Sequence, residues 1–279
     1  IMQYGEDYHY IPVTSILSMV GQIVLPDIYC YTIQVVNVVF IGDPEKKEGW
    51  VLVDAGMPKS AKAIINEAES RFGKNVKPSA ILLTHGHFDH VGAIIELVEY
   101  WEVPVYAHTQ EIPYLTGKQH YPRPDPTVGG GLVAKMSPMF PNTSITLGDI
   151  VHALPEDGSI PHLPDWKWIH TPGHSPGHVS FFREKDRVLI VGDAFVTVKQ
   201  ESLYRVLVQE KEFSGPPKYL TTDWNAAWES VKLLEQLKPQ VAITGHGVPV
   251  SGEELTTELA KLANHFDTLG MPRQGRFLQ

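Results

Sequence analysis

The sequence predicts an α/β fold in which two sheets pack face to face, with helices on the outer side of each sheet. Short apolar segments of strand length alternate with amphipathic segments of helical length in both halves of the 279-residue chain. Polar loops follow the strand segments in each half. The two halves are not separated by a stretch of linker composition, and we therefore expect a single domain over residues 1–279.

The first half contains two strand segments that are predicted to form a hairpin. Residues 31–41 are rich in valine, isoleucine and tyrosine, residues 50–53 are apolar, and Gly42 to Pro44 between them are typical turn residues. A helix is predicted after Pro58, because apolar residues recur at helical spacing until Gly73. The next predicted elements are a strand, a helix and a strand over residues 80–83, 91–100 and 104–107.

The second half repeats this alternation of short strands and amphipathic helices. Trp224, Ala227 and Trp228 share one face of a helix predicted over residues 223–237, so both tryptophans are expected to pack in the core. The other predicted elements are four strands over residues 168–169, 179–182, 188–191 and 241–244, and a last helix over residues 252–269.

Residues 116–142 are predicted to form an irregular insertion or lid within the domain. The segment contains several prolines, three consecutive glycines at 129–131 and the apolar residues Met136, Met139 and Phe140. A surface excursion that does not contact the substrate stays open as an alternative.

The composition is that of a globular protein with an excess of acidic residues. The chain is 43% hydrophobic and has a formal net charge of −9, which disfavours nucleic acid as a partner. The single cysteine, Cys30, cannot form an internal disulfide and is expected to be a buried apolar residue. We expect a soluble, cytoplasmic protein, because residues 1–10 lack a basic signal region and no apolar run reaches the ~18 residues of a membrane span. A removed targeting segment stays an open alternative.

Histidine and aspartate residues recur on four separate loops beside the predicted strands. The densest run extends from Thr84 to His90. Imidazole and carboxylate ligands together suit zinc, iron or manganese, and the lack of cysteine beside them disfavours a closed structural zinc site. The candidate metal ligands are His85, His87, Asp89, His90, His174, Asp193 and His246.

The spacing within the first loop allows it to serve two metal ions. In extended geometry the side chains of His85 and His87 point to the same side, whereas Asp89 and His90 lie beyond a turn. We therefore predict a catalytic centre with two ions and open positions for water and substrate.

The pattern His-x-His-x-Asp-His, followed by His-Thr-Pro-Gly-His, Gly-Asp and Gly-His, resembles the metallo-β-lactamase superfamily over residues 35–246. The resemblance implies a four-layer αβ/βα sandwich, with two mixed sheets face to face and the metals at one sheet edge. It also implies three sets of ligands: His85, His87 and His174 for the first ion, Asp89, His90 and His246 for the second, and Asp193 as the bridge.

Three further residues are expected to support the ligands. Asp54 resembles a strand-end aspartate of the family, with turn capping as the alternative. His170 and His178 flank His174 within one motif, and the resemblance implies that they orient ligand rings, with simple packing as the alternative. A mostly apolar acyl or ring substrate is expected. The residues expected in its pocket are Phe88, Phe195 and Tyr204.

The resemblance implies a hydrolase with two metal ions, zinc being the first choice and iron or manganese the alternatives. A hydroxide that bridges the ions would attack the carbonyl carbon of an ester, lactone or thioester, and Asp89 would relay a proton to the leaving group. We expect a small-molecule substrate and neither a nucleic-acid nor a membrane partner. A homodimer stays open.

Other functions stay open as well. The ligands present could instead hold one iron, as in oxidoreductases of the persulfide-dioxygenase kind, or serve a non-catalytic metal-binding protein. A phosphodiesterase or nuclease is disfavoured, because residues 109–165 contain few cations among many acidic residues. The tyrosine of the family's lactonases is replaced by Val196. The basic residues typical of glyoxalase II are reduced to Lys261, Arg273 and Arg276.

Overall fold

The computed structural model describes residues 1–46, 48–129 and 131–278. Within these residues, two large sheets are covered by helices. The strands are β1 Val20–Leu25, β2 Ile28–Ile33, β3 Val36–Ile41, β4 Val51–Val53, β5 Ala80–Leu82, β6 Val105–Ala107, β7 Val151–Ala153, β8 Trp166–His170, β9 Val179–Arg183, β10 Val188–Gly192, β11 Val196–Val198, β12 Lys211–Ser214, β13 Val241–Thr244 and β14 Val250–Ser251. The α-helices are α1 Ala61–Phe72, α2 Ile94–Trp101, α3 Ile112–Leu115, α4 Leu132–Met136, α5 Leu203–Val208, α6 Trp224–Gln236, α7 Gly252–Asn264 and α8 Phe266–Leu269. Among these helices, none has both the length and the apolar character needed to cross a bilayer.

The first sheet contains seven strands in the order β1 to β7. Strands β1 to β4 form an antiparallel meander, and β4 to β7 run parallel because helices such as α1 and α2 return the chain between them. Ile64 of α1 and Leu97 of α2 pack with Phe40 of β3 and with Trp50, which immediately precedes β4. The apolar stripe of each helix therefore determines which face of this sheet the helices cover.

The second sheet contains five strands in the order β14-β13-β10-β9-β8. Strands β10 and β13 run parallel, and the other described pairs of this sheet are antiparallel. Helices α6 and α7 cover its outer face, where Trp224 and Leu259 are buried with Leu189 and Trp228 packs at the edge of the same core. Both tryptophans thus take the core position predicted for them.

The inner faces of the two sheets meet in one apolar layer. Ile28, Cys30 and Val53 of the first sheet lie in one buried cluster with Phe181 and Ile243 of the second. Burial of each large apolar side chain contributes about 1.5–3 kcal/mol, so this layer is a main source of stability. Helices, sheet, sheet and helices form four layers, and the predicted αβ/βα sandwich is confirmed.

The structure corrects two predicted elements. Residues 31–41 are not one strand, because the chain reverses at Gln34, which has a φ of 56°. The Gln34 amide donates hydrogen bonds to the carbonyl oxygens of Ile11 and Val13, and these contacts with a distant segment hold the turn. The last predicted helix is interrupted at His265.

Residues 116–142, apart from Gly130, which lies outside the described residues, are mostly irregular around the short helix α4. Val133 and Phe140 of this segment are buried in one apolar cluster with Met57, Phe88 and Tyr219. The segment therefore packs over the loop that carries the histidine run. That it acts as a lid stays a prediction.

Candidate metal centre

Strand ends bring the predicted ligands to one edge of the sandwich. The histidine run follows β5, Asp193 follows β10, and His246 lies two residues after β13. Strands β10 and β13 are parallel neighbours, so their carboxyl ends meet at the same edge. Gly245 is required there, because a Cβ atom at this position would collide with the carboxylate of Asp193.

All seven predicted ligands are buried and converge on one another. Three groups of three side chains each offer ligand atoms that lie within 4.8 Å of one another. The groups are His85 with His87 and His174, His85 with His90 and Asp193, and Asp89 with His90 and His246.

Asp193 lies at the centre of this cluster. Its Oδ2 atom is 3.4 Å from Nε2 of both His90 and His174, and 3.3 Å from Nε2 of His246. On one side, Nδ1 of His87 and Nε2 of His174 are 2.9 Å apart, so these two ring nitrogens converge. On the other side, Oδ2 of Asp89 is 3.2 Å from Nε2 of His246. Asp193 therefore faces ligand candidates on both sides.

Several buried atoms of the cluster have no hydrogen-bond partner among the described residues. They are Nε2 of His85, Nε2 of His90, and Oδ1 of both Asp89 and Asp193. A buried polar atom without a partner costs about 1–3 kcal/mol, and four such atoms in one cluster are what a bound cation would satisfy. Imidazole nitrogens and carboxylate oxygens are donors that zinc, iron and manganese accept. The donor set fits transition-metal ions.

The histidines on one side of the cluster are neutral at pH 7. Burial, followed by the neighbouring imidazoles, holds the pKa of His85 and His174 well below its usual range. Burial lowers the pKa of His87 to about 4. A neutral imidazole keeps the lone pair that a metal ion needs.

Carboxylates shift the pKa of the histidines on the other side in the opposite direction, upward. Burial would lower the pKa of His90 and His246, but Asp193 and Asp89 outweigh it, raising the pKa of His90 well above its usual range and that of His246 to about 10. The pKa of Asp193 is held well below its usual range, because His246 and His90 outweigh the effect of burial. This concentration of negative charge favours a cation, and binding of a metal ion would displace the protons.

Asp54 orients one ligand from behind. Its Oδ1 accepts the backbone N–H of Thr84, and its Oδ2 accepts the Thr84 hydroxyl and lies 2.8 Å from Nδ1 of His90. With its Nδ1–H bound to a carboxylate, His90 presents Nε2 to the cluster, as is usual for metal-bound histidines.

Other ligands are oriented in the same way. The Nδ1 atom of His246 is 2.8 Å from the carbonyl oxygen of Val35, and that of His174 is 3.0 Å from the hydroxyl of Thr221. His178 accepts the backbone N–H of Asp193 at its Nε2, at 2.9 Å, so it supports the bridge candidate without offering a ligand atom. The contacts of His246 and His174 leave Nε2 of each ring directed at the cluster.

Three predicted residues lie elsewhere. His170 binds the carbonyl oxygen of Pro176 and stacks on His108 at 4.2 Å, because the last position of β8 directs its ring away from the ligands. Phe195 packs in the outer core of the second sheet, and Tyr204 is 69% exposed on α5. Of the predicted pocket residues, only Phe88 lines the cavity at the metal cluster.

A residue that sequence reasoning missed, Glu111, connects two metal loops. Its fully buried carboxylate accepts the backbone N–H of Gly86 at 3.0 Å, the hydroxyl of Ser175 at 2.6 Å and the backbone N–H of Gly177 at 2.8 Å. The Tyr121 hydroxyl is a fourth donor. The histidine run and the loop of His174 are therefore held together by one side chain. Burial raises the pKa of Glu111, although these donors oppose the shift.

A cavity opens beside the other side of the cluster. Asp89 and His246 form part of its wall, and the remaining wall is mostly apolar. It encloses about 480 Å³ of space between protein atoms, part of which is open to solvent. The other residues that line it are Ile11, Val13, Val35, Met57, Phe88, Val133, Met136, Phe140, Gln200, Leu203, Val206 and Tyr219.

The sandwich and the ligand cluster at its edge define a metallo-hydrolase fold, and comparison with known families agrees. The chain belongs to the metallo-beta-lactamase superfamily, whose family model matches residues 31–246. The resemblance stated from the sequence motifs is thereby confirmed.

Individual relatives are consistent with this family. The chain is 50% identical over 260 residues to the probable metallo-hydrolase YflN of Bacillus subtilis, covering 93% of this chain and 98% of that protein. It is 30% identical over 159 residues to the hydroxyacylglutathione hydrolase GloC of Haemophilus influenzae, covering 56% of this chain and 65% of that one. The crystal structure of TTHA1623 in a di-iron-bound form superposes with a TM-score of 0.54 at 29% identity, covering 83% of this chain and 94% of that chain.

Proposed function

We propose that the protein is a hydrolase that uses two metal ions, zinc being our first choice, to cleave an ester, thioester or lactone of a small molecule. The observation that supports this most is the position of Asp193, whose Oδ2 lies 3.3–3.4 Å from histidines on both sides of the cluster. A carboxylate at this position can be shared by two ions, and no ligand position of the family pattern is missing.

Each side of the cluster has the ligands that one ion needs. His85, His87 and His174 would hold the first ion, and Asp89, His90 and His246 would hold the second, with Asp193 between them. A pair of bound divalent ions supplies Lewis acidity and lowers the pKa of water from ~15.7 toward ~7, which makes a nucleophile available at neutral pH.

The chain's own residues supply orientation, proton transfer and exclusion of water. Asp89 borders the cavity, and its Oδ1 has no partner among the described residues, so it can hold a proton for the leaving group. Asp54 fixes the ring of His90, and His178 fixes the backbone of Asp193. The apolar wall around Phe88 keeps bulk water away from the reacting carbonyl.

The cavity bears on the choice of substrate within the hydrolase class. The name of GloC supports a thioester, but none of the described residues lining the cavity is a lysine or an arginine that could bind the carboxylates of glutathione. The same absence disfavours a phosphodiester. An uncharged ester, lactone or thioester with an apolar acyl group fits the wall best.

Metal analysis combined with a substrate panel tests the proposal. Protein purified without added metal is analysed for zinc, iron and manganese, and then assayed on p-nitrophenyl esters, lactones, glutathione thioesters and bis(p-nitrophenyl) phosphate. We expect two metal equivalents and carbonyl ester turnover that chelation abolishes. One iron together with oxygen consumption would favour the oxidoreductase instead, and turnover of the phosphodiester alone would overturn the choice of bond.

Iron is a second candidate for the bound metal. TTHA1623, a neighbour at 29% identity, was crystallised with two irons. Two irons in this protein would keep the assignment of the ligands and change only the ion. Reconstitution of metal-free protein with zinc, iron or manganese, followed by the ester assay, distinguishes these ions.

A further inference from the structure

Besides the candidate metal ligand Asp89, the described wall of the cavity contains a second polar side chain whose hydrogen bonding is incomplete, Gln200. Gln200 is 3% exposed, lines the cavity, and its Nε2 has no hydrogen-bond partner among the described residues. A buried amide that lacks an acceptor destabilises the folded protein, and a ligand that supplies the acceptor removes this cost.

We propose that this cavity binds the acyl part of the substrate, and that Gln200 recognises an acceptor oxygen on an otherwise apolar chain. The inference rests on the proposed hydrolase function, because it places the acyl chain beside the ligands of the second ion. It adds what the metal cluster alone cannot specify: the substrate is an uncharged acyl compound with an apolar chain that carries a keto, ether or similar oxygen.

The shape of the wall supports a chain over a compact polar group. Phe88 and Phe140 lie 5.5 Å apart between ring centroids, and Phe140 and Tyr219 lie 5.6 Å apart. Together with Val133 they form an apolar cluster that continues from the histidine run to residues 116–142. The space between these side chains is partly open to solvent, so a chain can enter it from outside.

The charge distribution supports an uncharged ligand. Apart from the metal ligands Asp89 and His246, the described residues of the wall carry no ionisable group except the Tyr219 hydroxyl. Burial, followed by the nearby carboxylates, raises the pKa of Tyr219 well above its usual range, so this hydroxyl stays neutral. A charged acyl group would therefore lose its hydration without gaining a partner.

A chain-length series tests the apolar part of the proposal. Zinc-loaded protein is assayed on p-nitrophenyl esters of acetic, butanoic, hexanoic and octanoic acid. We expect kcat/KM to rise about 4-fold per methylene until the cavity is filled. A Val133→Trp variant, which fills the cavity, should lower the ratio of octanoyl to acetyl turnover. Leu132→Trp, at the neighbouring position of α4 that is 51% exposed, is the matched control and should not change it.

Keto substrates test the role of Gln200. Octanoyl esters with a keto oxygen at carbon 3, 5 or 7 are compared with the plain ester on wild-type protein and on Gln200→Leu. We expect one keto position to gain about 3- to 10-fold in kcat/KM on the wild type and to lose that gain in the variant. An equal response of all four esters to the substitution would overturn the assignment of Gln200.

Failure of this inference is distinguishable from failure of the proposed function. Turnover of all esters without dependence on chain length would overturn the acyl site and leave the hydrolase function intact. If no ester, lactone or thioester is cleaved, the hydrolase function fails, and calorimetric binding of the uncharged pair octanamide and acetamide still tests the cavity. Tighter binding of octanamide, lost in Val133→Trp and kept in Leu132→Trp, would support the acyl site; equal binding would overturn it.

Discussion

The two sides of the ligand cluster are supported in different ways. The braced side, formed by His85, His87 and His174, is backed by the buried Glu111, which binds both loops that carry these histidines. The open side, formed by Asp89, His90 and His246, borders the apolar cavity. Asp193 lies between them and faces histidines of both sides.

This difference indicates separate roles for the two sides of the ligand cluster. Hydrogen bonds to a buried carboxylate hold the braced side in one geometry, because moving either loop would leave buried donors without acceptors. The open side combines candidate metal ligands with a wall that can exclude water and hold an apolar ligand. We therefore expect substitutions on the braced side to affect stability and metal content, and substitutions at the cavity wall to affect substrate preference.

Removal of Asp193 should have the largest effect, because this residue belongs to both sides. We expect Asp193→Ala to lose at least one of two metal equivalents and to lower turnover by about 10³-fold, since a metal ion contributes several kcal/mol to catalysis. Elemental analysis and the ester assay measure both effects. Asp165→Ala, whose side chain is 59% exposed, is the control. Full metal content together with full turnover in Asp193→Ala would contradict the shared role.

Glu111→Gln should weaken the braced side. A glutamine has one acceptor oxygen in place of two, and its amide would face the N–H of Gly177 or Gly86 instead of accepting from it. We expect a loss of about 2–3 kcal/mol in the free energy of unfolding, measured by urea denaturation of the metal-free protein. Glu229→Gln, at a side chain that is 72% exposed, should change this free energy by less than about 0.5 kcal/mol.

The substrate profile of Glu111→Gln tests whether the braced side and the open side act independently. If the braced side only holds metal and loops, Glu111→Gln reloaded with zinc should keep the wild-type order of preference among acyl chains. A changed order would show that the two sides are not independent.

The sequence predicted which residues converge at the sheet edge better than it predicted the residues that support them. The seven candidate ligands lie in short motifs at strand ends, so their types and spacing were visible without coordinates. Glu111 was missed because its partners Gly86 and Ser175 are 25 and 64 residues away in the chain, and no local pattern records such contacts. His170 was misplaced for the opposite reason: it is close to His174 in sequence, but β8 directs its ring away.

The prediction of secondary structure was limited in the same way, by contacts between residues that are distant in sequence. The predicted ends of helices α1 and α6 agree with the observed ends to within one or two residues, because the apolar periodicity that predicts a helix is local. The turn at Gln34 was missed, since the carbonyl groups that hold it come from residues 11 and 13. Elements determined by nearby residues were predictable, and elements determined by distant contacts were not.

Asp54→Asn should produce a smaller effect, confined to the open side. The amide cannot serve all three donors of the carboxylate, which are the Thr84 N–H and hydroxyl and the ring of His90. We expect metal affinity to fall about 10- to 100-fold, as is typical for residues that orient a ligand. Competition with a chromogenic chelator measures it. His170→Gln is the matched contrast, because His170 was expected to play the same part and contacts Pro176 instead; unchanged affinity there supports the distinction.

Phe140→Ala should have the smallest effect and the most selective one. Phe140 is 8% exposed and packs on Phe88 and Tyr219 in the cavity wall, but none of its described aromatic contacts is a metal ligand. We expect the KM for the octanoyl ester to rise about 10-fold while zinc content stays at the wild-type level, since the variant loses about 1–2 kcal/mol of apolar contact with a long chain. The acetyl ester, which does not reach this part of the wall, should show a smaller change in KM. Loss of zinc in Phe140→Ala would mean that the wall also holds the metal loops, and the division between a braced side and an open side would then fail.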